Sequence, residues 1–202
     1  MIDEAARIID LYRRHADAWT NVRGTVLSER VWIERFADMV RQGAPVLDIG
    51  CGSAQPIARY LAGRGHPITG VDASPEMIEL FRANLLGETA AVADMRWLKL
   101  DLRYGGLIAW DSFFHLAPDD QRSMFPIFRD HLEPEAPLLF TSGPNFGEAI
   151  GTLEGEPLYH ASLGPDEYRL LLDSNGFDIV AHVAEDPECG GHTVWLARQR
   201  EP

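Results

Sequence analysis

Cysteine is nearly missing from this 202-residue chain, with Cys51 and Cys189 as its only two. Two thiols cannot build the disulfide framework of a secreted miniprotein, so a reducing cytoplasm is the expected location. No apolar run approaches the ~20 residues that a membrane helix requires, and the opening stretch MIDEAARIIDLYRRH is too often charged to be a signal peptide's hydrophobic segment. Internal repeats, low-complexity tracts and Ser/Gly linkers are absent as well, which leaves a single domain, 1–202, as the expected organisation. Bases are scarce in one region: residues 133–190 hold twelve acids and Arg169 as the single base, against nineteen acids and seventeen bases elsewhere. The net charge of −13 is therefore concentrated in the C-terminal third. A surface that docks nucleic acid or anionic lipid needs the opposite sign, so neither is an expected partner. What is present, 46% hydrophobic and 24% charged residues, is the composition of a chain with a core.

Helix-like and strand-like segments alternate along the chain. Ala5, Ile8, Ile9 and Tyr12 recur at helical spacing. A second helix begins near Ser28 as N-cap, carries Trp32, Phe36, Met39 and Val40 on one face, and stops at Gly43. Val46 to Ile49 is too short for a helix and reads as a buried strand. Pro56 suits the first position of the next helix, Ile68 to Val71 follow as a strand, and Ser74 caps a helix bearing Met77, Leu80 and Phe81. Further strands read at 90–93, 107–110 and 138–141, with helices at 118–132 and 165–175 and two final strands at 179–183 and 193–197. Strands separated by helices imply right-handed crossovers and a parallel sheet covered on both faces. The last two strands lack a helix between them and should pair as an antiparallel edge hairpin, with 185–192 as its loop. The expected fold is α/β: a Rossmann-like, doubly wound, mostly parallel seven-stranded sheet with that hairpin at one edge.

In such sheets ligands sit at the carboxyl ends of the strands, and those ends are chemically distinctive. Strand one runs into Asp48-Ile49-Gly50-Cys51-Gly52-Ser53-Ala54, a turn whose missing side chains admit a ligand to the backbone. Strand two ends at Asp72-Ala73, with Asp72 twenty residues beyond Gly52, a carboxylate suited to both hydroxyls of a ribose. Strand three ends in Ala93-Asp94-Met95, an acceptor for an exocyclic amine beside a polarizable thioether. Strand four ends in Trp110-Asp111-Ser112-Phe113-Phe114-His115.

VLDIGCGSA at 46–54, GVDAS at 70–74 and ADM at 93–95, in this order and at these strand ends, resemble the class I S-adenosylmethionine-dependent methyltransferases from about Val46 to Ala197. Asp48, Gly50 and Gly52 match that family's acidic-x-Gly-x-Gly-x-Gly turn, while Ala54 replaces the third glycine. The segment before strand four reads Tyr104-Gly105-Gly106 and lacks the aspartate usual there. The resemblance implies S-adenosyl-L-methionine as donor and S-adenosyl-L-homocysteine as product. It assigns Gly50 and Gly52 to the methionine part, Asp48 to its amine, Asp72 and Ala73 to the ribose, Asp94 to the adenine amine and Met95 to its ring. Aromatic walls for the cationic sulfur are sought in Trp19, Trp110, Phe113 and Phe114.

Asp48 and Asp72 also read as turn or helix caps, Asp94 as a turn residue, and Met95 as core packing. Asp111 and His115 are the candidate proton acceptors, each with a structural alternative: a turn cap for Asp111 and a hydrogen-bonded core histidine for His115. Residues 1–27 are expected as a helical lid whose Arg23 reaches the donor's carboxylate, with a plain packing helix as the alternative. Residues 143–163, including Tyr159-His160-Ala161-Ser162, are expected as a segment covering the acceptor, or else a surface loop. Cys189 and His192 are two potential metal ligands without a second pair, so no metal is expected. Methyl transfer to a small molecule is thus the leading expectation. A nicotinamide oxidoreductase is the weaker alternative, because Gln55 stands where its Gly-x-Gly-x-x-Gly fingerprint needs glycine. A non-catalytic donor-binding module is the other. The acceptor and the oligomeric state are not legible.

Overall fold

The structure, a computed structural model, describes residues 4–201. Its centre is laid down by three strands with no exposed residue: β1 (Val46–Ile49), β4 (Gly106–Ala109) and β5 (Pro137–Ser142). Burial on both faces is what parallel crossovers demand, and it explains why these segments read as continuous apolar runs. β2 (Ile68–Asp72) and β3 (Thr89–Val92) extend the sheet on one side. On the other side, β9 (His192–Gln199) runs antiparallel between β5 and β8 (Phe177–Asp186). The order is β3-β2-β1-β4-β5-β9-β8, the expected seven strands with the antiparallel edge pair.

Alternate side chains along each strand feed two cores. Val46, Ile108, Leu139 and Leu196 pack with α3 (Arg30–Met39), α4 (Ile57–Gly63) and α5 (Pro75–Asn84). Leu47, Leu107, Leu138 and Trp195 pack on the opposite face with α6 (Pro118–His131) and α7 (Pro165–Ser174). Ser74 caps α5 as expected, its Oγ accepting from Met77 N–H at 3.2 Å.

Several boundaries differ from the sequence reading. The opening helix is broken into a 3-10 turn (Ala5–Arg7), α1 (Ile8–Arg14) and α2 (Ala16–Arg23), with His15 at φ −117° and ψ 24° between the last two. Glu29, not Ser28, occupies the N-cap of α3, because the Ser28 hydroxyl donates to the Glu29 carboxylate instead of receiving a backbone N–H. Pro56 precedes α4. The strands of the edge pair are longer than expected and reduce the intervening loop to 187–191. Residues 147–162 form β6 (Gly147–Leu153) and β7 (Glu156–Ser162), a separate antiparallel hairpin where no strand was expected. Among the described residues, no helix is long and apolar enough to cross a membrane.

Candidate active site

The strand order reverses where β1 lies between β2 and β4, and two adjoining cavities open there. The larger is about 850 Å³ and the smaller about 450 Å³. Gly50 and Gly52 border both. Gly50 stands at φ +73°, and a Cβ on it would fall 2.2 Å from the Cβ of Ser112. Ser112 in turn donates its hydroxyl to the Ile49 carbonyl at 2.7 Å, tying the ends of β1 and β4 together. Gly52, at φ +51°, has open space where a side chain would be, so its backbone is bare towards the cavities. Ala54, the position lacking the third glycine, takes the left-handed φ of 70° that glycine would adopt freely.

Asp72 supports this turn from the neighbouring strand. Its Oδ2 accepts from Gly52 N–H at 3.0 Å and its Oδ1 from Ser74 N–H at 2.9 Å. Burial pushes its pKa up, and the backbone N–H groups restrain the rise. Asp48 is different: it is buried on the floor of the smaller cavity, and no described residue makes a hydrogen bond to its carboxylate. Burial, with the charge of Asp72, raises its pKa to about 7 against the weaker pull of Arg23. A buried carboxylate without a partner is costly, and a cationic ligand group would relieve it.

The far wall of the larger cavity carries Asp94 and Met95. Burial alone would raise the Asp94 carboxyl, but Arg96 holds it below its ordinary value. The Arg96 guanidinium grips Asp94 Oδ2 at 2.6 Å, and its other arm meets Asp120 of α6 at 3.2 Å.

The opposite wall comes from distant segments. Leu11 of α1 packs against Leu153 and Leu158 of the β6–β7 hairpin. That contact brings Tyr12 and Trp19, edge to face with centroids 5.6 Å apart, over the larger cavity. His115 Nδ1 lies 2.7 Å from the Tyr159 carbonyl oxygen, an acceptor only, so this nitrogen carries the proton. Nε2 is then the acceptor for the Tyr12 hydroxyl at 2.9 Å. Burial lowers the His115 pKa to about 4, which keeps the ring neutral near pH 7.

Of the residues singled out in the sequence, Asp72, Ala73, Asp94, Met95 and His115 line the larger cavity, while Asp48 and Trp110 line the smaller. Gly50, Gly52, Asp111 and Trp19 border both. Phe113 is displaced from its expected place as a wall, because it is fully buried in an aromatic cluster with Phe125, Phe128 and Phe140. Phe114 faces a third depression beside His160. Arg23 borders the smaller cavity, but its guanidinium is ion-paired with buried Glu29. Cys189 and His192 meet only through the Cys189 carbonyl, and no group of three possible metal ligands occurs among the described residues. Sequence reasoning missed the roles of Arg96, beside a marked motif, and of Ser112, inside one, and it missed the pairings of the lid residue Tyr12 with His115 and of His192 with Asp111, which span 103 and 81 residues.

Residues 46–135 match the model of a family described as a methyltransferase domain. A curated relative, the 2-heptyl-1-hydroxyquinolin-4(1H)-one methyltransferase of Mycobacteroides abscessus, is 38% identical over 93 residues, which is 42% of this chain. The match spans 40% of that relative's length. The chain also shares its fold with magnesium protoporphyrin IX methyltransferase from Synechocystis PCC 6803 with bound SAM, at a TM-score of 0.76 and 16% identity over 98% of both chains. A further neighbour is 1,6-didemethyltoxoflavin-N1-methyltransferase from Burkholderia thailandensis, with a TM-score of 0.70 and 20% identity over 98% of this chain and 87% of that one. At these identities the structural likeness is one of fold, and it extends beyond residue 135 to both edges of the sheet.

Proposed function

We propose that this protein is an S-adenosylmethionine-dependent methyltransferase of a small-molecule acceptor. The observation that carries the reading is Asp48, a buried carboxylate without a hydrogen-bond partner beside the bare Gly50–Gly52 backbone. That arrangement fits the ammonium of an amino-acid moiety, and Asp72 stands where a ribose would need acceptors. Bound there, S-adenosylmethionine supplies an electrophilic methyl group on a cationic sulfur and leaves as S-adenosylhomocysteine.

The chain's own contribution is mainly positional, since holding reactants in line is worth roughly 7 to 11 kcal/mol, more than a single acid or base contributes. Asp48 and the glycine turn hold the amino-acid end. Asp72 with Ala73 holds the sugar, and Asp94, oriented by Arg96, faces the base with Met95 packed beside it. Trp19 and Trp110 border the smaller cavity and offer ring faces to a cation.

Asp111 and His115 are the residues we assign to the reaction itself. Asp111 borders both cavities and presents an anion to them. His115 is neutral and buried, a poor terminal proton acceptor, and serves better to orient the Tyr12 hydroxyl from the lid. Segment 4–23 covers the larger cavity, and the β6–β7 hairpin within 143–163 holds that lid through Leu153 and Leu158. The acidic C-terminal third favours a neutral or cationic acceptor over nucleic acid, and two buried free cysteines suit the cytoplasm. Incubation with S-adenosylmethionine and a metabolite pool should release S-adenosylhomocysteine, with Asp72→Asn lowering donor affinity about 10- to 100-fold. Binding without turnover would favour the donor-binding module, and tight binding of reduced nicotinamide instead would favour the oxidoreductase.

A further inference from the structure

The two histidines that border Asp111 and Tyr12 can be assigned protonation states from their partners alone. His192 opens β9, directly after a turn in which Gly190 and Gly191 both take positive φ. Its Nδ1 lies 2.6 Å from the Cys189 carbonyl oxygen, and its Nε2 lies 2.8 Å from Asp111 Oδ1. Both partners accept and neither donates. Both ring nitrogens must therefore donate, and only the imidazolium has two N–H groups. His115 presents the opposite case, with one acceptor and one hydroxyl.

The surroundings suit a cation at His192. Asp111 follows β4, Glu29 precedes α3 and Asp186 ends β8, while Arg23 of α2 is paired with Glu29 and the Cys189 thiol, pushed up to about 12 mainly by burial, stays neutral. The Trp110 ring lies 5.4 Å from the imidazole, centroid to centroid. Asp111 is meanwhile held on every side but one. Its backbone sits at φ 51°, its N–H donates to Thr141 Oγ1 at 3.0 Å, and Oδ1 is engaged by His192, which leaves Oδ2 for the cavities.

We propose that His192 is a positioning residue: as a doubly protonated imidazolium it anchors Asp111 as an ionised acceptor at the junction of the two cavities, so that the turn between β8 and β9 governs donor binding. The consequence for binding rests on the donor site proposed above, whereas the charge state of His192 does not. When His192 loses its proton, an Nε2 lone pair faces a carboxylate and the anchor is released. Hydrogen bonding to Asp111 raises the His192 pKa above its ordinary 6.5, so this release comes at a higher pH than for a free histidine. Donor affinity should decline as pH rises through the raised His192 pKa.

Nitrogen-detected NMR on histidine-labelled protein should show two ring protons on His192 at pH 6.5 and a single Nδ1 proton on His115. A singly protonated His192 at that pH overturns the proposal. Calorimetry with S-adenosylhomocysteine should show His192→Gln binding about tenfold more weakly than wild type at pH 7, without the part of the alkaline decline that His192 causes. Decline shared by both proteins belongs to the ligand's amino group. Equal affinity across the whole pH range overturns the positioning role. Should His192→Gln not fold, Asp111→Asn serves: His192 should then titrate at least about one pH unit lower, and an unchanged titration overturns the coupling. Failure of the wild type to bind S-adenosylhomocysteine removes the donor site and the positioning role together, while the NMR result still decides the imidazolium.

Discussion

The two walls of the larger cavity are built by different means. One wall is local in sequence: Gly50, Gly52, Asp72, Asp94 and Met95 lie between residues 50 and 95, each at the end of a parallel strand or in the turn after it, with Asp48 beside them in the smaller cavity. The other wall joins Tyr12, His115 and Asp111, from the lid and the segment after β4, held from behind by Tyr159 of the β6–β7 hairpin and His192 of β9. Backbone geometry and carboxylates dominate the first wall, and side-chain hydrogen bonds across long loops dominate the second. The difference teaches that one face of the cavity is fixed by contiguous turns, while the other is assembled from parts that can vary independently. The family match, confined to residues 46–135, contains the whole first wall and only His115 and Asp111 of the second.

Substitutions can break this comparison. The largest effect should come from Gly50→Ala, which places a Cβ 2.2 Å from that of Ser112 at a left-handed φ. A stability loss of roughly 3 kcal/mol is expected in thermal denaturation, with loss of donor binding. A normal melting profile would show that the junction of β1 and β4 is not tightly packed.

Asp48→Asn should separate binding from stability. The folded pKa of Asp48, about 7, exceeds its ordinary 3.8, so folding favours the protonated form and its stabilising effect is gained as pH falls from about 7 towards 4. At pH 8 the asparagine variant should be more stable by roughly 1 to 3 kcal/mol, because no buried anion remains. Donor affinity in the wild type should rise with pH through 7 as Asp48 ionises. The variant should bind about tenfold more weakly at pH 8 and lack that rise. Calorimetry at pH 6 and 8 checks both points.

The smallest effect should come from Tyr12→Phe on the second wall. Losing the hydroxyl frees His115 Nε2 at a cost of about 1 kcal/mol in stability. Turnover should fall several-fold with donor affinity nearly unchanged. An equal loss in both would assign Tyr12 to the first wall.

The same division governs what the sequence made legible. β1, β4 and β5 are visible as apolar runs because burial on both faces leaves no polar alternation to confuse them. Asp72 and the glycine turn are visible because their spacing reflects one crossover. The β6–β7 hairpin escaped notice because β6 is largely exposed and carries Gly147 and Gly151, so its residues resemble a loop in composition. His192 was weighed beside Cys189 as a metal ligand, since nothing in the local sequence points to an aspartate 81 residues away. The ion pair between Arg23 and Glu29 was hidden for the opposite reason, as the expected lid directed Arg23 to the donor's carboxylate and away from a neighbour six residues on.

β9 is the last strand along the chain, yet it lies inside the sheet, between β5 and β8. During synthesis the acidic strand ends therefore emerge long before the imidazole that balances Asp111. A nascent chain that stops short of residue 192 holds Asp111 without this partner and leaves the β5 edge unpaired. The contact that engages Asp111 thus waits on insertion of β9 between β5 and β8.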